Sequence, residues 1–324
     1  MSRKALILGI SGQDGGYLAS FLLRKGYEVH GTSRDVESQP FIGLTALGIE
    51  DRVALHSASL IDFRNLIQLI STVEPDEIYN LAGQTSVSLS FSQPVEAFES
   101  VATGTIQMLE VLRFLDRPVR FYNACSSECF GQVEMGHRCD EKAPFRPRSP
   151  YAMAKAAAFW AVDNYREAYD LFACSGILFN HESPLRSARF VTNKIVSSAV
   201  RIAGGENLRL SLGNMDIYRD WGYAPEFVEM MWRMLQRENP EDCVIATGES
   251  HSLREFVERA FRSLDLDWRD HVDVDPSLFR TTDLHYSGAD PSKAEKILNW
   301  KARVRFPELV DVLIQAERER LRQN

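Results

Sequence analysis

The stretch Ala5-Leu6-Ile7-Leu8-Gly9-Ile10-Ser11-Gly12-Gln13-Asp14-Gly15 opens with four apolar residues and passes straight into a glycine-rich turn. Residues 5–8 read as a first β-strand, and residues 17–25 beyond the turn carry helical periodicity. A GxxGxxG turn between strand and helix lets the backbone fold sharply and approach a pyrophosphate, whose charge then sits at the helix N-terminus. On this reading Gly9, Gly12, Gln13, Asp14 and Gly15 are candidate dinucleotide-binding residues. An ordinary glycine-rich turn fits the same letters, and what lies downstream must decide.

Downstream, the pattern repeats. Apolar runs at 28–31, 52–55, 77–81 and 119–124 read as strands, and 63–71, 94–115 and 150–169 read as amphipathic helices. Strand and helix in strict alternation predict an α/β fold, a doubly wound parallel sheet whose ligand site lies at the carboxyl ends of its strands. The second half is less regular. It holds glycine turns at 204–205 and 213–214, a Trp/Met-rich helix at 225–237, an isolated strand at 244–246, and helices at 253–264 and 307–322. The expected organisation is a dinucleotide-binding domain over 1–178 and a smaller, mainly substrate-binding α/β domain over 179–324, with 244–248 returning to the main sheet.

The bulk numbers exclude some classes. The 324 residues carry 37 Lys and Arg against 45 Asp and Glu, a net charge of -8, with no basic run. That argues against nucleic acid or an anionic membrane as partner. No apolar stretch approaches the roughly 20 residues that span a bilayer, and a cytoplasmic location is expected. The five cysteines are odd in number. Cys125, Cys129 and Cys139 with His137 match no familiar metal-ligand spacing, so buried thiols in a reducing compartment are expected and no metal.

The second strand is followed by Ser33-Arg34-Asp35. Arg34 could pair with the 2′-phosphate of NADP, whereas Asp35 could accept from the free 2′-hydroxyl of NAD; the letters leave both open. Further on, Ser149-Pro150 opens a helix on which Tyr151 and Lys155 are i and i+4, on one face. A phenol with a free pKa of about 10 is a poor base at neutral pH. A neighbouring ammonium and a positive nicotinamide ring favour its phenolate, so the pair can deprotonate an alcohol as hydride leaves. The same spacing also fits a surface helix. The strand before it ends in Cys125-Ser126-Ser127-Glu128. Ser126 could bond the oxygen that Tyr151 addresses, and Glu128 suits proton abstraction beside a new ketone, or is a solvated loop carboxylate.

Together, GxxGxxG, Ser-Ser-Glu before YxxxK, and Asn80-Leu81-Ala82-Gly83 resemble the extended short-chain dehydrogenases that modify nucleotide sugars on a Rossmann fold. Phe145-Arg146-Pro147-Arg148-Ser149-Pro150-Tyr151, Asn180-His181-Glu182-Ser183-Pro184 and Arg219-Asp220-Trp221-Gly222 resemble the GDP-mannose 4,6-dehydratase family, and the likeness spans nearly the whole chain. The resemblance implies a hydro-lyase. Tyr151, Lys155, Ser126 and Glu128 would be catalytic, and Arg34, Lys155, His181 and Arg186 would touch bound NADP. Asn180, Lys194, Arg219 and Arg280 would hold the sugar nucleotide, and a homodimer or homotetramer would form. Departures from the family pattern are Asp35 in place of a second Arg, Ser59 in place of an Asp, and Arg280-Thr281-Thr282-Asp283 beside the nucleotide. They leave NAD as an alternative cofactor and a GDP-heptose as an alternative substrate. A nucleotide-sugar 4-reductase or epimerase is the competing activity, disfavoured by Glu128.

Overall fold

The computed structural model describes residues 2–279 and 282–323. Its first half alternates as expected. β1 (Lys4–Leu8), β2 (Glu28–Ser33), β3 (Val53–Ser57), β4 (Glu77–Asn80), β5 (Arg120–Ser126) and β6 (Ala173–Leu178) are linked by helices. These are α1 (Gln13–Arg24), α2 (Ile42–Ala46), α3 (Phe63–Val73), α4 (Val87–Ser92), α5 (Pro94–Phe98), α6 (Gly104–Leu115) and α7 (Pro150–Tyr169). The helix starts follow local chemistry. Asp62 caps α3 by accepting from the Asn65 amide, and Ser149 caps α7 by accepting from the Ala152 amide at 3.1 Å.

The chain continues through β7 (Asn180–Glu182), α8 (Val191–Ala203), β8 (Leu210–Leu212), β9 (Tyr218–Tyr223), α9 (Ala224–Leu235) and β10 (Cys243–Ile245). Then come β11 (Ser250–Ser252), α10 (Leu253–Arg262), β12 (Val272–Val274), α11 (Ser292–Leu298) and α12 (Phe306–Gln323). One seven-stranded parallel sheet has the order β10-β6-β5-β4-β1-β2-β3. The order reverses between β1 and β4, and this switch point opens a crevice at the strands' carboxyl ends. β1, β4 and β6 are buried almost without interruption because both faces of the sheet are covered. One face packs on α1 and α9, the other on α3, α6 and α7.

Three differences from the sequence reading have physical causes. The first helix starts at Gln13 rather than near residue 17, because the last glycines of the turn already lie in it. The helix expected over 94–115 is divided by a π turn at Glu99–Thr103. There the Ser100 hydroxyl accepts from the Gln84 amide, and a Cβ on Gly83 would meet Val101 Cγ2 at 2.7 Å, so the helix bulges where the end of β4 presses on it. The sequence reading also leaves out β6, β7, α8, β8 and β9: the strands are three to six residues long and pair with segments far along the chain, whereas α8 is amphipathic over its 13 residues and was passed over.

Past residue 178 the chain both builds a second core and returns to the first. β10 joins the main sheet beside β6, and α9 packs on α1. The remainder forms a three-stranded sheet, β11-β9-β7, and a two-stranded one, β12-β8, around a core from α8, α10 and α12. In it Trp221 meets Phe256 edge-on at 5.5 Å and stacks on Phe306 at 6.0 Å. Trp221 thus belongs to this core, although one edge reaches the cleft described next.

Candidate active site

The carboxyl ends of β1, β4, β5 and β6 form the floor of a cleft of about 420 Å³, roofed by β7, α8 and β8. The glycine turn lies at one end. Gly9 has φ +86°, and a Cβ there would meet Ala82 backbone at 2.9 Å. A Cβ on Gly15 would meet Gly9 O at 2.6 Å. Both glycines are needed to pack the turn against its own chain. Gly12 differs: a Cβ there would meet only Gly9 O, at 3.4 Å. It is the N-cap of α1, and no side chain caps the helix's first amides. Those amides and the helix dipole suit an anion, so the cradle fits a dinucleotide pyrophosphate.

Gln13 and Asp14 turn toward the protein rather than outward. The Gln13 amide donates to His181 O at 3.2 Å and accepts from Ser183 Oγ at 2.7 Å, tying α1 to β7. Asp14 Oδ2 lies 2.8 Å from His181 Nε2, and His181 Nδ1 lies 2.7 Å from Phe179 O. A carbonyl and a carboxylate only accept, so both ring nitrogens donate and the imidazole is a cation. Burial pulls the His181 pKa down, but the Asp14 carboxylate more than reverses this and the net shift is upward. Asp14 is pushed up by burial and drawn further down by His181, ending low.

The middle of the floor is made by β5 and α7. β5 ends at Ser126, whose Oγ accepts from the Glu128 amide at 3.3 Å and starts a 3-10 turn over Ser127–Phe130. Glu128 therefore lines the cleft beside Ser126. The first turn of α7 brings Tyr151 and Lys155 to the same floor. Lys155 Nζ donates to Ala124 O at 2.6 Å and stands 5.9 Å from the Tyr151 ring centroid. Burial lowers the Lys155 pKa, and burial raises that of Tyr151 against the opposing pull of the Ser126 hydroxyl.

The other walls carry charge. Arg186 Nε lies 3.1 Å from Glu182 Oε2, and its guanidinium stacks 3.6 Å above the Phe190 ring. Lys194 Nζ donates to Ser211 O at 2.7 Å. Arg219 is buried, donates to Tyr218 O and Leu284 O, and faces Asp283 at 3.8 Å. Asn180, at the start of β7, lines the same space. Although the protein is acidic overall, among the described residues this lining holds five Lys and Arg against four Asp and Glu, with His181 besides. It can therefore accept a ligand bearing several phosphates.

Of the residues singled out in the sequence, the cleft brings together Asp14, Ser126, Glu128, Tyr151, Lys155, Asn180, His181, Arg186, Lys194 and Arg219. Gly9, Gly12, Gln13 and Gly15 form the adjoining turn. Arg34 stands apart at the end of β2, with its side chain 85% exposed and 3.6 Å from Glu96. Arg280 lies outside the described residues. The sequence reading passed over Arg189, Thr85 and Ser88, which also line the cleft, and placed Asp283, another lining residue, only as part of a departure from the family pattern. No motif marks them, because segments far apart in the chain converge to bring them there. His137 is exposed, whereas Cys125, Cys129 and Cys139 are buried.

A sequence profile of the family described as GDP-mannose 4,6 dehydratase matches residues 6–313. The chain is 44% identical over 345 aligned positions to the GDP-mannose 4,6 dehydratase of Drosophila melanogaster, covering 99% of this chain and 87% of that one. It is also 44% identical to that of Homo sapiens (99% and 92% covered) and 40% to that of Vibrio cholerae (98% and 94%). Among solved structures it is similar to the UDP-glucose 4-epimerase of Thermus thermophilus in complex with NAD, with a TM-score of 0.86 at 24% identity over 97% and 99% of the two chains. The dTDP-glucose 4,6-dehydratase of Bacillus anthracis in complex with NAD gives 0.85 at 17% over 98% and 97%. At such identities the solved structures speak for the fold alone.

Proposed function

Because the chain belongs to the GDP-mannose 4,6-dehydratase family, we propose that its cleft binds a GDP-mannose-type nucleotide sugar and eliminates water from it to give the 4-keto-6-deoxy sugar. The observation that carries this reading is the convergence of Ser126, Glu128, Tyr151 and Lys155 on one floor beside the glycine turn. The glycine turn and the first amides of α1 would hold a nicotinamide dinucleotide, which would supply reversible hydride transfer to and from the sugar with no net consumption.

The side chains then handle protons. Tyr151 removes the C4 hydroxyl proton, with Ser126 bonding the same oxygen. Lys155, held by Ala124 O, keeps a positive charge near the phenol and favours its ionised form. The 4-ketone acidifies C5, and Glu128 removes that proton and delivers it to the C6 hydroxyl, which leaves as water. Such two-way duty asks for a carboxylate reached by solvent rather than sealed in the core, and Glu128 is half-buried at the cleft. His181 and Arg186 contact the dinucleotide, and Asn180, Lys194 and Arg219 hold the sugar diphosphate from the segment past 178.

The cofactor we propose is NADP. The Asp35 carboxylate accepts from the Glu37 amide at 3.0 Å and from Ser38 Oγ at 2.7 Å, so it is occupied in its own turn. Arg34, exposed at the end of β2 and 3.6 Å from Glu96, would pair with the 2′-phosphate. We further propose a homodimer. α5, α6 and α7 lie side by side and expose Phe98, Ile106, Met153 and Trp160, an apolar surface that a second copy would cover. All five cysteines are buried and unpaired, which suits a reducing, cytoplasmic setting. Among the described residues no helix is long and apolar enough to cross a membrane.

The deciding experiment incubates the protein with GDP-mannose and catalytic NADP⁺ and follows product mass. Loss of one water without accumulating NADPH is expected. Unchanged GDP-mannose with turnover of a GDP-heptose would move the substrate. Stoichiometric consumption of NADPH on a keto sugar would replace the dehydratase by a reductase.

A further inference from the structure

The segment that carries Ser126 and Glu128 is bracketed by two thiols. Cys125 is the penultimate residue of β5, and Cys129 follows one turn later in the 3-10 helix. Their sulfurs are 3.7 Å apart. Cys125 Sγ lies 3.9 Å from Lys155 O, and Cys129 Sγ lies 3.6 Å from Ala152 O. Both thiols are thus wedged against the first turn of α7, which bears Tyr151 and Lys155. Cys125 lines the cleft, whereas Cys129 is fully covered. A disulfide needs sulfurs about 2.05 Å apart, so bonding draws the two together by about 1.7 Å.

We propose that Cys125 and Cys129 are a reversible oxidation site, in which a hydroperoxide entering the cleft links the two sulfurs and so displaces Ser126 and Glu128 from their working positions. The sulfur of Cys125 takes the terminal oxygen of the peroxide, whose O–O bond breaks to release water or an alcohol and leave a sulfenic acid. The sulfur of Cys129 then attacks that of Cys125. The S–O bond breaks, the S–S bond forms, and the hydroxide leaves with the Cys129 proton as water. Two electrons pass from the thiols to the peroxide, and two from a thiol reductant restore them. The order follows from access: Cys125 meets the cleft, and burial pushes the Cys129 thiol well up, so Cys129 attacks second. The loop being closed holds only Ser126, Ser127 and Glu128. Strain from the shorter distance therefore falls on the residues whose placement the elimination depends on, and a displacement of about 1 Å in such groups costs on the order of 10²-fold in rate.

The test exposes the reduced protein to hydrogen peroxide and reads the bond and the turnover separately. The tryptic peptide 121–138 contains both cysteines and is expected to lose two hydrogens, with no iodoacetamide uptake at either residue. Turnover should fall about a hundredfold in parallel and return with dithiothreitol. Cys129→Ala and Cys129→Ser are each expected to keep the parental turnover and to resist peroxide, and whichever folds better carries the comparison. An unmodified peptide, an oxidised peptide with full turnover, or a Cys129 variant inactivated as fast as the parent would each overturn the proposal. The mass of the peptide needs no substrate, so failure here is distinct from failure of the dehydratase reading.

Discussion

Single residues in the cleft have separable duties. In the proposed reaction Glu128 would distinguish elimination from simple hydride exchange, since only elimination needs a base at C5. Glu128→Gln keeps the size and the backbone bond to Ser126 but removes the base. It is expected to bind dinucleotide normally, as titrated by fluorescence, while product formation falls about 10²- to 10⁴-fold. Near-parental turnover would show that another group removes the proton. Arg34→Ala is expected to weaken NADP⁺ binding about tenfold and leave NAD⁺ binding unchanged in calorimetry, because only the former offers a 2′-phosphate. Equal losses for both would point away from a phosphate contact. The Asp14–His181 pair makes a pH prediction. Raised above its ordinary 6.5, His181 contributes stability that is complete below 6.5 and is lost as pH rises through the folded value. Lowered below its ordinary 3.8, Asp14 contributes stability that is complete above 3.8 and is lost as pH falls through its folded value. The pair is thus at full strength between these limits. The His181 ring proton resonance should titrate above 6.5, and in Asp14→Asn the midpoint should drop below 6.5, because burial and the nearby Arg186 charge then outweigh the bond to the Phe179 carbonyl. A midpoint that stays put in the variant would mean that Asp14 does not hold the charge.

Among the elements, the turn from β1 to α1 shows one motif doing two jobs. Gly15→Ala drives a Cβ into Gly9 O at 2.6 Å and Ile10 Cα at 2.7 Å, both backbone atoms that cannot swing aside. Its expected cost lies near the upper end of the about 1–3 kcal/mol typical of overpacking, visible as a lowered Tm without any ligand. Gly12→Ala meets only Gly9 O at 3.4 Å, and its φ of -77° is open to alanine. It should cost under about 1 kcal/mol in thermal melts yet weaken dinucleotide binding, because its Cβ would occupy the space before the free amides of α1. If Gly12→Ala bound dinucleotide as well as the parent, the pyrophosphate would not sit at this helix end.

For the molecule as a whole, the outward face of α5, α6 and α7 is the feature that a lone chain leaves unexplained. Met153 is 53% exposed and Trp160 58% exposed, i and i+7 on one face of α7. An isologous contact would bury both residues from each copy about a two-fold axis. Trp160→Glu places a charge at that axis and is expected to convert a dimer to a monomer in sedimentation velocity, with the fold retained by circular dichroism. A parent that sediments as a monomer at micromolar concentration would remove the proposal.

The sequence by itself determined the sheet and its ligand end. Apolar runs of four to seven residues alternating with helical periods permit little except a parallel sheet, and the glycine turn after β1 marks which end binds. Tyr151 and Lys155 were also legible, because i and i+4 on a capped helix share a face whatever surrounds it. Only the tertiary structure decided the rest. β6, β7 and β9 carry Gly176, His181 and Arg219 in short stretches whose partners lie far along the chain, so no local period announces them. The return of residues 244–248 to the main sheet was expected from the sequence, but the packing of α9 on α1 depends on which apolar surface remains uncovered after the first half has folded. The charge on His181 and the closeness of Cys125 to Cys129 are matters of a few ångströms between segments or across a turn. Spacing in sequence bounds such distances, but packing sets them.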